Sequence, residues 1–497
     1  MSLSPAALLY DADGARALDR HAIATLGVSG FTLMQRAAAA AFAELRRRWP
    51  HARRIGIVCG TGNNGGDGFV IAALARAAGL NVDLILVGDA GRIVGDATHA
   101  LELARAAGLV PAPWAGTLAE ADVVVDALFG TGLDRPVVGA PAAAIAAVNH
   151  AGCPVLAIDV PSGLDATCGR VLGCAVHATV TVTFIAHKQG LSTGAGPAHT
   201  GILIEAGLEV PAACFAAVPA TARRLDYAAV RVHFAPRPRT AHKGDFGHVL
   251  VVGGAPGFGG AARLAAEAAA RTGAGLVTLA THPSHAGTIG LARPEIMCHG
   301  VADATALRSL MARASVIAIG PGLGQSAWGR ALFALVRDVD LPRVFDADAL
   351  NLLAADPAPL ARAILTPHPG EAGRLLGVTT SAVGEDRFAA ARDLAERYAA
   401  ITLLKGAGTV VQAPAGLPWV IGGGNPGMAS GGMGDVLTGI VAGLVAQGHA
   451  LEEAAALGAC VHAEAGDRAA AAGGERGLLA GDLLDHVRAV VNPPQRA

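Results

Sequence analysis

The stretch "GNPGMASGGMGDVLTG", residues 424–439, carries six glycines and one charged side chain, Asp435. Glycine lets the backbone approach a ligand closely. The apolar run that follows reads as a buried helix, whose first free N–H groups and dipole attract an anion. A carboxylate at that place can cap the helix. It can also take a proton from a nucleophile entering an anion hole, which is general-base chemistry.

A second concentration of polar residues lies in "CGTGNNGGDGFVIAALARAAG", residues 59–79, where Asn63, Asn64, Gly65, Gly66 and Asp67 separate an apolar run from a helical one. The loop departs from the dinucleotide fingerprint G-x-G-x-x-G, and its Asn and Asp residues could be turn formers alone. Two further apolar runs end in acids: "VVVDALFGTGLDRP" at Asp126, and "LAIDVPSGLD" at Asp159 with Ser162 close behind. In an open parallel sheet, ligands bind outside the carboxyl ends of the strands. Three neighbouring strands therefore deliver Asn64, Asp126, Asp159 and Ser162 to one rim. This oxygen set has too few carboxylates for a tight divalent cage and suits a monovalent cation or a sugar hydroxyl.

Of 38 basic residues, only Lys188, Lys243 and Lys405 are lysines. Lys188 in "AHKQG" is a possible phosphate contact. Lys405 in "LLKGAGT" occupies a strand-to-glycine turn that suits a phosphate. Lys243 in "AHKGDFG" has a weaker case. His368 in "TPHPGE" reads on its own as a core or loop histidine.

These residues need strands and helices to hold them. From Arg54 to about Val182, short apolar runs alternate with helical stretches at roughly thirty-residue spacing, as βαβ units do. The runs are continuously apolar, as in a parallel sheet covered on both faces. One or two amphipathic helices precede them. The pattern restarts at "HVLVVGG" and continues through "AGLVTLAT", "SVIAIGPGLG", "RVFDADAL", "AILTPHPGE" and "ITLLKGAG". A helical block then runs from Asp435 to about Val491. The Pro- and Arg-bearing stretch from about Val210 to Thr240 marks the boundary. The fold class is α/β, with two different doubly wound domains.

At 497 residues, two to four domains are expected. No apolar run approaches the ~18 residues of a membrane helix, and no secretory leader is expected. Seven scattered cysteines without a C-x-x-C pair argue against a disulfide framework or a zinc site. A net charge of −2 gives no pull toward nucleic acid. Glycine, 66 of 497 residues, is the informative excess over the usual ~7%. A cytoplasmic protein with small-molecule substrates, no nucleic-acid or membrane partner, and a homo-oligomeric state is expected.

"GTGNNGGDG", "DALFGTGL" and "DVPSGLD" resemble the signatures of the N-terminal domain of the bifunctional NAD(P)H-hydrate repair enzymes, over residues 1–215. The resemblance implies a Rossmann-like epimerase that interconverts the R and S forms of hydrated NADH or NADPH. It implies a potassium ion at Asn64, Asp126 and Ser162, with Asp126 also catalytic. Substrate would be held by Asn63, Asn64, Gly65, Gly66 and Asp67, by Gly130, Thr131, Gly132, Leu133, Asp134, Arg135 and Pro136, and by Asp159. The segment "LMQRAA" departs from the family's acidic LME-x-A form, so Gln35 receives no role.

The turn "GMGD", Gly432 to Asp435, resembles the G-x-G-D turn of ribokinase-like phosphotransferases. With "HKGDFGHVLVVGG", "GPGLG", "TPHPGE" and "LLKGAGT", it is similar to the dehydratase domain of the same repair enzymes, over residues 226–497. That resemblance implies consumption of ADP, accompanied by Mg2+: the hydroxyl of the S hydrate is phosphorylated and eliminated as phosphate, leaving AMP. Asp435 would be the base and would also contact substrate. Lys405, Gly406, Ala407, Gly408, Thr409 and Gly434 would hold the nucleotide. Ala261, Gly324 and His368 would contact the hydrate. The alternative is an ATP-dependent ribokinase-like kinase of a vitamin precursor with an N-terminal binding module, and that module could bind protein or RNA instead.

Overall fold

The computed structural model describes residues 3, 4 and 6–493. The chain divides into two compact units: residues 8–222, and residues 223–493 together with Leu3, Ser4, Ala6 and Ala7.

The strands of the first part are β1 (Ala7–Tyr10), β2 (Arg54–Cys59), β3 (Asn81–Leu86), β4 (Ala112–Pro113), β5 (Val123–Ala127), β6 (Val155–Ile158), β7 (Val180–Phe184), β8 (His187–Lys188) and β9 (Ile202–Ala206). Seven of them form one parallel sheet in the order β4-β3-β2-β5-β6-β7-β9. Strand order reverses between β2 and β5, so the crevice outside their carboxyl ends is the topological switch point of a Rossmann-like sheet. Strands β1 and β8 pair in parallel outside that sheet, Leu9 opposite His187 and Tyr10 opposite Lys188.

Helix Ala12–Leu26 starts at Asp11, whose carboxylate accepts the Gly14 N–H, and stops at Gly27 in the left-handed region. Helix Gly30–Arg48 buries Leu33, Met34, Ala37, Ala38, Ala41 and Leu45, a stripe at helical spacing that faces the core. Helix Asn63–Ala77 is nearly all buried. Its glycines are fixed by close neighbours: a Cβ on Gly65 would stand 2.0 Å from the Gly60 carbonyl oxygen, and one on Gly66 2.6 Å from Met34.

The second unit holds β10 (Ala222–Leu225), β11 (His248–Val252), β12 (Leu276–Thr281), β13 (Met297–Gly300), β14 (Val316–Ile319), β15 (Arg343–Phe345), β16 (Ala363–Leu365), β17 (Ile401–Leu404), β18 (Val410–Gln412) and β19 (Trp419–Ile421). They run β13-β12-β11-β14-β15-β16-β17-β18-β19-β10. Strands β13 to β17 are parallel; the β17–β18 and β18–β19 pairings are antiparallel. The switch point lies between β11 and β14. Within the boundary stretch, Ala222–Leu225 is a sheet strand paired with β19.

Helix Met433–Ala446 passes through the core against helix Gly259–Thr272. Gly439 and Gly443 permit the approach, because a Cβ on Gly439 would meet the Ala265 carbonyl oxygen at 2.1 Å. No helix among the described residues is long and apolar enough to cross a membrane.

Candidate functional sites

In the first unit the loops after β2, β5 and β6 meet at the switch point. Asp126, last but one in β5, is fully buried. It accepts the Ser162 hydroxyl at 2.6 Å, the Ser162 N–H at 2.8 Å and the Leu128 N–H at 3.3 Å. The Ser162 hydroxyl oxygen in turn accepts the Phe129 N–H at 2.8 Å. Burial raises the Asp126 carboxyl to about 6 against these lowering donors, and no cation among its neighbours opposes that rise. Asn64 is buried, with an amide nitrogen that finds no partner. A Cβ on Gly130 would stand 3.3 Å from Asn64 Oδ1 and 3.4 Å from Asp159 Oδ2, so these two oxygens flank one bare stretch of backbone.

Asp159 has φ 65°, an uncommon conformation for a residue with a side chain. Its carboxylate is clamped by Lys188, whose ammonium lies 2.5 Å from Oδ1 and also donates to the Phe184 carbonyl at 2.8 Å. The lysine read as a phosphate contact thus already has an anionic partner. A cavity of about 460 Å³ opens beside these groups. Asn63, Asn64, Asp67, Gly130, Thr131, Gly132, Leu133, Asp159 and Lys188 line it, and Gly65, Gly66, Asp134, Arg135 and Pro136 do not. Gly65 and Gly66 instead face packed atoms. Asp126 and Ser162 do not line it either. Asp19, on the first helix, does, and the strand-end logic of the sequence had no means to find it.

In the second unit Asp435 is the third residue of helix Met433–Ala446, and the N-cap is Gly432 at φ 90° with no side-chain cap. Asp435 is therefore not the cap, and the helix begins two residues before it. The first-turn N–H groups stay available to a ligand. A Cβ on Gly434 would stand 3.1 Å from the Lys405 ammonium and 3.5 Å from Asp346 Oδ2, so this glycine is the gap through which the helix start meets the charged pair. Lys405 pairs with Asp346 at 2.8 Å and with Glu371 at 3.7 Å. Asp346 also accepts the Thr438 hydroxyl at 2.9 Å.

Burial alone would raise Asp346, but Lys405 and the donated hydrogen bonds hold it below the ordinary range. Burial would likewise lower Lys405, and its two carboxylates hold it up. Asp435 goes the other way. Burial first, then the charge of Asp346, lifts it to about 7, with Lys405 opposing. Two carboxylates of one site are thus pushed apart, one kept ionised and one poised near neutrality.

The remaining expected contacts surround this pair. His368 caps helix Pro369–Leu376, accepting from Gly370 and Glu371 N–H groups, and its other ring nitrogen lies 3.4 Å from Glu371. It is joined to Lys405 through Glu371. The Gly324 N–H donates to Asp348 at 2.8 Å. Ala261 packs beside Gly322, whose Cβ would stand 3.3 Å from it. Gly406 has φ 144°, with buried Arg387 beneath it donating to the carbonyls of Leu404 and Lys405. Thr409 closes the Gly406–Thr409 turn by donating to the Gly406 carbonyl at 3.1 Å, with Ala407 and Gly408 between them. Lys243 sits in a short turn, Lys243–Phe246, with no bond to these groups. Asp346, Glu371 and Thr438 went unnamed in the sequence reading. Asp346 and Glu371 follow strand ends in "FDADAL" and "TPHPGE", so the same rim logic reaches them. Thr438 and half-buried His462, lowered to about 4 by desolvation, lie inside helices and give no such signal.

A Rossmann-like unit with a polar switch-point crevice and a ribokinase-like unit with a glycine-capped helix and a first-turn carboxylate define a two-site α/β enzyme. Residues 249–488 match the family profile described as NAD(P)H-hydrate dehydratase, and residues 30–190 that of the YjeF-related protein N-terminus. The bifunctional NAD(P)H-hydrate repair enzyme Nnr of Coxiella burnetii is 49% identical over 98% of this chain and 100% of its own length. That of Escherichia coli is 41% identical over 98% of this chain and 94% of its own. A ribokinase-like superfamily protein of Enterococcus faecalis superposes with a TM-score of 0.51 at 29% identity, covering 55% of this chain and 96% of that one. The chain belongs to the bifunctional NAD(P)H-hydrate repair enzymes.

Proposed function

We propose that residues 1–215 epimerise the R and S hydrates of NADH and NADPH, and that residues 226–497 dehydrate the S hydrate at the expense of ADP, giving AMP and phosphate. The hydrate carries a hydroxyl on the ring carbon C6 beside N1. Asp435 takes the proton of that hydroxyl as it attacks the terminal phosphoryl group. The first-turn N–H groups at Met433 and Gly434 hold the charge that develops; phosphate then leaves C6 with the C–O pair while C5 loses a proton to solvent, its C–H pair forming the ring C5=C6 double bond. The observation that carries this reading is the uncapped, Gly432-initiated helix with Asp435 raised to about 7 beside the Lys405–Asp346 pair. Lys405 and the Gly406, Ala407, Gly408 and Thr409 turn, with Gly434, hold the nucleotide. Ala261, Gly324 and His368 face the hydrate.

No cluster of three or more His, Cys, Asp or Glu residues among the described residues forms a metal cage. That suits Mg2+ arriving on the nucleotide phosphates. In the epimerase unit, the buried Asp126 carboxylate, Ser162 Oγ and Asn64 Oδ1 offer an oxygen donor set that fits K+. The ion would offset the cost of burying that carboxylate and keep the loop after β5 in place. We assign Asp126 to this support of catalysis, and substrate to the cavity lined by Asn63, Asn64, Asp67, Gly130, Thr131, Gly132, Leu133 and Asp159, with Gly65, Gly66, Asp134, Arg135 and Pro136 in the segments beside it. A cytoplasmic homo-oligomer completes the reading, the oligomer to be tested by light scattering.

The decisive assay follows mixed hydrate epimers with ADP or ATP through the dihydronicotinamide absorbance at about 340 nm. Complete consumption with release of inorganic phosphate supports both activities. Arrest near the S fraction overturns the epimerase half, and no consumption with either nucleotide overturns the whole.

A further inference from the structure

The cavity of the first unit contains a carboxyl that binding alone does not explain. Asp67 is the only side chain longer than hydrogen between Gly65 and Gly68. The three glycines around it have no room for a Cβ: Gly65 lies against the Gly60 backbone, Gly66 against Met34 and Ala97, and Gly68 against Cys59 and Ala127, 2.6 and 2.7 Å from its own Cβ position. The helix is thus pressed into its surroundings at every neighbouring position and opens toward the cavity at Asp67. The residue is 8% exposed. Among the described residues no hydrogen-bond donor or ion-pair partner is bonded to its carboxyl, whereas Asp159 across the same cavity has Lys188. Asp19 lines the cavity as well.

We propose that Asp67 is the proton donor of the epimerase, protonating the C6 hydroxyl so that it departs as water. The C6–O bond breaks with its electron pair going to oxygen, and the N1 lone pair forms the N1=C6 double bond of a cyclic cation. The clamped Asp159 carboxylate faces that cation across the cavity. Water then adds to the opposite face: its lone pair makes the new C6–O bond and the double-bond pair returns to N1. The proton it sheds passes through Asp19 to the Asp67 carboxylate. No electrons are gained or lost and the catalyst is regenerated.

Burial first, then the charges of Asp159 and Asp19, raise Asp67 well above its ordinary value, with Lys188 opposing, which favours its protonated form. A carboxylic acid that keeps its proton beside a substrate oxygen can serve as a proton donor. Asp19 lies at the solvent-exposed mouth of the cavity, and its pKa is raised, first by desolvation, which suits a relay. Cys59, buried behind the helix, stays a thiol.

This inference rests on the epimerase reading, and the two fail separately. In full-length wild-type enzyme without nucleotide, failure to equilibrate R and S hydrates above the uncatalysed rate overturns that reading. If the wild type does equilibrate them, Asp67→Asn decides the proposal. The amide keeps the shape of the acid but has no carboxyl proton to transfer, so the variant should melt within a few degrees of wild type and bind hydrate within about threefold. Epimerisation should fall by at least 100-fold while ADP-dependent dehydration of pure S hydrate is unchanged. Epimerisation retained within tenfold overturns the proposal. Should the variant unfold, the wild-type pH profile still tests it. The rate must fall at high pH as Asp67 loses its proton, and a rate that climbs steadily with pH overturns the proposal.

Discussion

Asp435 and Asp346 are both carboxylates within reach of Lys405, yet only Asp346 is in contact with the ammonium. That difference sets the pH behaviour of the dehydratase. A base raised to about 7 is protonated below neutrality, so kcat/KM for dehydration should rise through pH 7 and level above it. A profile flat from pH 5.5 to 8.5, measured on S hydrate, would contradict this. The same shift acts on stability. Between about 4 and 7 the folded chain holds a proton that the unfolded chain releases, so stability falls as pH rises through that window. Asp435→Asn should therefore abolish dehydration while raising the melting temperature at pH 8 by a few degrees and leaving it unchanged at pH 4. Gly434→Ala makes a separate test, since its methyl would point at the Lys405 ammonium. Nucleotide turnover should drop at least 100-fold with little change in the melting curve.

At the scale of elements, the two site helices share one design: Gly62 and Gly432 start them, neither with a side-chain cap. Each is bound to its neighbours by backbone contacts that only glycine permits. Gly439→Val should destabilise the second unit by roughly 1–3 kcal/mol through overpacking against the Ala265 carbonyl. Calorimetry with an epimerase assay on the same sample checks that the first unit is unaffected.

How legible these elements were follows from burial. The parallel strands are continuously apolar, as "HVLVV" is, and could be read directly. The edge strand Met297–Gly300, with a half-exposed "MCHG", and the antiparallel β18 and β19, among Pro and Gly turns, carry little periodic signal. Asp126, Asp159, Asp435 and Lys405 could be read because they follow strands or open a helix. Asp19 reaches its cavity from the middle of an amphipathic helix, where one more acid among Asp11 and Asp13 has no distinguishing context. Lys188 and Lys405 stand out in the sequence but their carboxylate pairings do not, because ion pairs such as Lys188–Asp159 and Lys405–Asp346 join residues far apart in sequence.

For the whole molecule, two compact units predict two separable activities and more than one unfolding step. Asp126→Asn should stop consumption of a hydrate mixture at the S fraction while the rate on pure S hydrate stays within twofold of wild type. Loss of both activities together would mean the units do not act independently.

The Ala6 N–H donates to the carbonyl of Arg224, and the described residues before Leu8 cluster with the second unit. The segment at Ala6 and Ala7 must therefore wait while residues 8–222 are synthesised, roughly 10–40 s at the usual elongation rate of about 5–20 residues per second. Until then a nascent chain stalled before Arg224 should leave Ala6 and Ala7 open to protease, and one extended through β19 should protect them.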